Sequence, residues 1–175
     1  MRLMRLQRAV VGSAALVVLS LLAGCGSDDP MDDLGLPSAG DMASIAYYLN
    51  KHTSCLDLTA EADATDYLVE EAGDPAWGIK ERASCEGEDG GNITLFTLED
   101  MKKFQTAVKK DDDRPAFAVG RDFAVVPEND TTVQQLSSSE MMFLTCDPDF
   151  TVPSGYKKVS GLVDGCVLSD YFPTD

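Results

Sequence analysis

The sequence predicts a small α+β fold, a mixed helix and antiparallel-sheet domain stapled by two disulfides. Three observations predict it. Apolar residues recur at helical spacing at Met42, Ile45, Ala46 and Leu49, and again at Met101, Phe104 and Val108. Two pairs of apolar runs, "IKERASCE" with "NITLFTL" and "AFAV" with "FAVV", are each joined by a short glycine-containing turn, the pattern of a β-hairpin. Four cysteines, Cys55, Cys85, Cys146 and Cys166, fall in the part of the chain that carries these patterns.

Asp41 stands where a helix N-cap is needed, and the periodic residues after it carry a first helix to about His52 or Cys55. The next stretch, "LDLTAEADATDYLVEEAGDPAWG", is weakly periodic around Tyr67, Leu68 and Val69 and breaks at Gly73 and Pro75, so it reads as a short helix or an irregular connection. The first hairpin turns on "GEDGG". Thr97 then serves as N-cap of a second helix with Asp100 in the capping-box position, and Glu99 and Asp100 at its start and Lys109 and Lys110 at its end suit the helix dipole. After "DDDRP" the second hairpin turns on "GRD". Helix, two strands, helix and two strands make an α+β sandwich. Asp130 caps a short helix through Val133 and Leu136, after which "SSSEMMFLTC" leads into a Pro- and Gly-punctuated tail that Cys146 and Cys166 pin to the domain. Residues 41–175 therefore form one domain, a size sufficient to bury a core.

The N-terminus is of a different kind. Residues 1–8 carry Arg2, Arg5 and Arg8 and no acid, and residues 9–23 carry no charge, the n-region and h-region of a signal peptide. The uncharged run is shorter than the roughly 20 residues needed to span a bilayer. Leu22, Ala23, Gly24 and Cys25 resemble the lipobox of bacterial lipoproteins, matching all four of its positions. The resemblance implies a diacylglyceryl group on the Cys25 thiol, removal of residues 1–24, and a mature chain beginning at Cys25 on the outer face of the cytoplasmic membrane. No adjacent arginine pair precedes the apolar run, which favours general secretion over the twin-arginine route. Two acyl chains, at ~0.8 kcal/mol per buried methylene, anchor stably where one does not. Residues 25–40, the lipidated cysteine and "GSDDPMDDLGLPSAG", read as a flexible tether, too polar and broken to pack.

Beyond the lipobox the chain resembles the small uncharacterised lipoproteins of actinobacteria. The likeness lies in "LAGC", a cysteine at the end of a first helix, a cysteine in the strand before "NITLFTL", and "FAVGRDFAVV". It covers roughly residues 25–127 and implies location and fold, with no functional residue beyond the lipidated cysteine.

Charge and cysteine usage narrow the function. Losing residues 1–24 removes three arginines and no acid, moving the formal charge from -16 to -19. So acidic a chain repels polyanions, which argues against nucleic acid as a partner and against binding anionic headgroups through a basic patch. With Cys25 taken by lipid, an even count in an oxidising compartment reads as two disulfides. Three pairings are possible, and the pairing of neighbours, Cys55 with Cys85 and Cys146 with Cys166, is the one expected. No C-x-x-C spacing is present and His52 is the only histidine, which disfavours zinc.

His52 and Cys55 stand three apart, the arrangement of a thiol nucleophile and its base on one helix face. An envelope hydrolase or thiol enzyme using His52 is the alternative function, and a disulfide at Cys55 removes its nucleophile. The acidic groups Glu86, Glu88 and Asp89 and residues 111–113 lack the calcium-loop pattern and read as solvated turns, so no metal is expected. Trp77, the single tryptophan, is either a contact residue or the edge of the core. The serines of "SSSE" lack a G-x-S-x-G setting. The reading these features favour is a lipid-anchored, non-catalytic binding or interaction module of the cell envelope. Its partners are membrane lipid, through Cys25, and an envelope protein or ligand, with no cofactor beyond the covalent lipid. Cys25→Ala is expected to release the protein into the medium or to leave an uncut precursor, which fractionation and intact mass will show.

Overall fold

The computed structural model describes residues 31–61, 67–88, 90–111 and 115–174. The expected signal peptide and Cys25 lie outside the described residues. No helix among the described residues is long and apolar enough to cross a membrane.

The fold is α+β: three helices packed on an eight-stranded, wholly antiparallel sheet. Helix α1 (Met42–Leu49) starts where Asp41 accepts a hydrogen bond from the Ser44 N–H at 2.7 Å. That bond holds the Asp41 carboxyl below its ordinary pKa. The helix ends at Leu49, earlier than the periodicity suggests, because the Asn50 side chain takes over the chain's polar groups. Its amide donates to the carbonyls of Ala46 and Cys55 and its oxygen accepts from the Cys55 N–H. Strand β1 (Leu56–Thr59) follows, then two 3-10 turns, Glu71–Gly73 and Pro75–Trp77, where the sequence suggests a short helix or irregular chain.

The expected hairpins are both present. They are β2 (Ile79–Glu86) with β3 (Asn92–Leu98), and β4 (Phe117–Val119) with β5 (Phe123–Pro127). Between them lies α2 (Met101–Lys110). Its N-cap is Asp100, which accepts from the Lys103 N–H, and not Thr97, which remains in β3 opposite Phe123. Helix α3 (Asp130–Leu136) is likewise capped one residue before the expected Asp130, by Asn129 accepting from the Thr132 N–H at 2.8 Å. The tail supplies β6 (Met142–Thr145), β7 (Lys158–Ser160) and β8 (Val167–Ser169), and the strand order is β1-β2-β3-β5-β4-β6-β8-β7.

Alternation along the central strands divides the core in two. Phe96, Leu98, Phe117, Val119, Ala124 and Val126 face α2, whose Phe104, Ala107 and Val108 are buried against them. Ile93, Leu95, Ala118, Phe123 and Val125 face α1 and α3, meeting Ile45, Leu49 and Leu136. Strands covered on both faces need no polar positions, which is why "FAVV" and "NITLFTL" read as nearly continuous apolar runs. Two close approaches demand glycine. At Gly78, with φ +63°, a Cβ would lie 2.6 Å from the Asp100 carbonyl oxygen, and at Gly120 it would enter the Phe123 ring.

The larger departure from expectation is at the N-terminus of the domain. Residues 31–40, read from composition as part of a tether, are built into the fold. Met31 is 4 % exposed and packs with Leu36 in the α2-side core, while Ala39 is buried in the α1-side core. The strap crosses between the two faces over the β4–β5 turn. There Arg121 N–H donates to the Pro37 carbonyl, and Asp122 accepts from the Ser38 hydroxyl and the Ala39 N–H. Its far end is fixed by Gln105, which is fully buried in α2. Its amide nitrogen donates to the Met31 sulfur at 3.5 Å, and its oxygen accepts from the Leu162 and Val163 N–H groups at 2.7 and 3.3 Å. Gln105→Leu leaves two backbone donors without this acceptor, and is expected to lower the unfolding free energy by about 2 to 4 kcal/mol. Hydrogen exchange at Leu162 and Val163 should rise more than elsewhere in the domain.

Candidate functional site

Strand β1 ends the sheet, and its side chains point away from any core: all four of its residues are exposed. Asp57 takes a left-handed backbone, φ +50°, and the pairing with β2 shifts register between Leu56 and Thr59. The consequence is an apolar edge. Leu56 is 57 % exposed and Leu58 40 %, and Tyr47, Tyr67 and Val69 are exposed in the same stretch of chain. Among the described residues Tyr156 is the one other large apolar side chain so exposed.

Beside this edge lies a groove of about 400 Å³, lined by Met42, Leu58, Ala60, Glu81, Arg82 and Ala83. The Arg82 Nε–H donates to the Tyr67 carbonyl at 3.1 Å, tying the incoming connection to β2. Glu81 and Arg82 set opposite charges beside an apolar lining. Such a groove can take an apolar side chain, with about 25 cal/mol gained per Å² withdrawn from water.

A second recess, about 370 Å³ and more polar, opens between the strap at Leu34 and Gly35 and the residues Ser139, Glu140, Met141, Met142, Lys157 and Asp170. Its polar groups are largely committed to the fold. Asp170 accepts from the Lys157 N–H at 2.7 Å, and the Glu140 N–H donates to the Tyr48 hydroxyl at 3.2 Å. Burial raises the pKa of that hydroxyl. The serines of "SSSE" terminate α3: Ser137, Ser138 and Ser139 donate to the carbonyls of Gln134, Gln135 and Leu136.

The residues singled out from sequence do not converge. Cys55 is bonded to Cys85, and Cys146 to Cys166, with S–S distances of 2.05 and 2.02 Å, the pairing of neighbours expected. His52 lies past the end of α1 and shares no helix face with Cys55, whose sulfur is taken by the disulfide; the His52 ring lies 5.1 Å from that of Tyr48. Trp77 closes the edge of the core: it is 8 % exposed and meets the Phe104 ring edge-on at 6.1 Å. Of the acidic groups, Glu88 accepts a hydrogen bond from the Gln135 amide and Asp111 follows α2, while Asp89 and residues 112–114 lie outside the described residues. Among the described residues no three His, Cys, Asp or Glu side chains are grouped to hold a metal ion.

The groove itself was not anticipated. The one sequence signal for it is the alternation in "LDLT", where Leu56 and Leu58 share a side, and four residues are too few to separate an edge strand from a loop. Comparison with known protein families, curated proteins and solved structures gives no match for this chain.

The Cys55–Cys85 bond closes a separation of 30 residues between α1 and β2 and so fixes β1 against the sheet. Replacing both cysteines by alanine is expected to cost about 3 to 4 kcal/mol in denaturant unfolding by the chain-entropy relation. Proteolytic cleavage should then appear first between residues 50 and 70.

Proposed function

We propose that this protein is a lipid-anchored extracytoplasmic binding module, non-catalytic, that presents the β1 edge and its groove to an envelope protein. The single observation that carries the binding role is the apolar edge. Leu56 and Leu58 stand in solvent beside a groove with an apolar lining, while the rest of the described large apolar side chains, a few aside, are withdrawn into the two cores. The lipobox at Cys25 supports the location. The two disulfides accord with an oxidising compartment. The non-catalytic reading is supported by the engagement of Cys55 in a disulfide, which leaves His52 without the nucleophile that a thiol mechanism needs.

A photo-crosslinking residue placed at Leu58 in intact cells tests the role, with the same residue at the exposed Gln134 of α3 as reference. A discrete adduct from position 58, absent at 134 and lost on Leu56→Asp, is the expected outcome. Leu56→Asp changes an exposed side chain and should leave the thermal transition in place. If neither position yields an adduct, the β1 edge is not the contact surface.

A further inference from the structure

We infer that the outer face of α2 lies against anionic phospholipid headgroups when the chain is anchored, an inference that rests on lipidation of Cys25. The net charge argues against any basic surface, yet positive charge is not evenly spread. Four of the chain's eight lysines, Lys102, Lys103, Lys109 and Lys110, are on α2, all exposed, and the helix carries no acidic residue. At 100° per residue these four and Thr106 share an arc of about 120°, opposite the buried Phe104 and Val108.

Met31, the first described residue, also stands beside this helix. Met31 is held on Gln105, and Lys102 and Lys109, three residues before and four after Gln105, flank that contact. Lys109 is further fixed at this rim by donating to the Asp164 carbonyl at 2.6 Å. Five residues, 26–30, separate Met31 from Cys25, a reach of at most about 20 Å. With the strap built into the fold, the lipid cannot lie far from α2.

At that range a domain of net charge -19 is repelled by an anionic surface in most orientations. Turning α2 toward the headgroups replaces repulsion by attraction of about 1 kcal/mol per lysine near the surface, close to fivefold in a binding equilibrium. Glu99, Asp100 and Asp111, which flank the helix, and the four aspartates of the sequence 28–33 oppose this attraction. The acyl chains therefore hold the domain, and the lysines orient it.

The test uses the mature lipidated protein in vesicles of phosphatidylcholine, with or without phosphatidylglycerol. A water-soluble amine reagent labels the lysines, and mass spectrometry reads each site. Lys51 at the end of α1 and Lys80, whose charge acts on Asp41, serve as references on other parts of the surface. Labelling of the four α2 lysines should fall about fivefold with phosphatidylglycerol and recover at high salt, while Lys51 and Lys80 stay constant. Reversing charge at two exposed positions, Lys103→Glu with Lys110→Glu, should erase the phosphatidylglycerol dependence at Lys102 and Lys109. Equal labelling in the two vesicles, with lipid on Cys25 verified by intact mass, overturns the orientation and leaves the anchor standing. An intact mass without lipid overturns the anchor and the orientation with it.

Discussion

The fold depends on one buried amide. Gln105 sits at zero exposure in α2, where an unpartnered amide would be costly, and the two ends of the domain satisfy it. Its oxygen takes two N–H groups from the 161–163 segment and its nitrogen gives a hydrogen to Met31. Both sulfurs of the Cys146–Cys166 bond lie 3.8 Å from its backbone carbonyl. The strap and the tail also place Met31, Leu36, Leu144 and Leu168 in the same core, and the amide adds a directional contact to that packing. The amide thus couples the first described residues, the central helix and the last strands.

Around that point the sheet works as a partition. Antiparallel sheets commonly keep one face in water, whereas here helices cover both. The aromatic cluster of Trp77, Phe104 and Phe117, with Phe104 and Phe117 edge-on at 5.0 Å, fills the α2 side. Leucine, isoleucine and Phe123 fill the other. Cover on both faces leaves the edges as the sheet's exposed ground, and the proposed contact surface is on one of them.

The sequence was readable where one rule acted at a time. Helical spacing located α1 and α2, turn residues between apolar runs located both hairpins, and the neighbouring cysteines paired as their order suggested. It was unreadable where the deciding partner was distant. Met31, Leu36 and Ala39 have no common period because they serve two different cores, and the Asp, Gly and Pro around them have the composition of a tether. β7 and β8 are three residues each, below the length at which alternation can be recognised, and their place is set by pairing β8 on the distant β6. The caps moved by one to three residues, because several residues near each helix start have cap-forming side chains and the end of the preceding strand decides which of them is used. The groove was unreadable for the same reason as the strap: β1 becomes a site by standing next to β2, which only the topology decides.

The left-handed residue in β1 has a consequence for how copies of the protein meet one another. A flat edge strand bearing leucines is a template on which a second chain can polymerise. Asp57 bends the backbone there and breaks the ladder's register, so the row of N–H and C=O groups is no longer in step for another strand. The edge keeps its stickiness in the side chains and loses it in the main chain. A protein so built can be selective for a complementary surface while resisting fibre growth among its own copies.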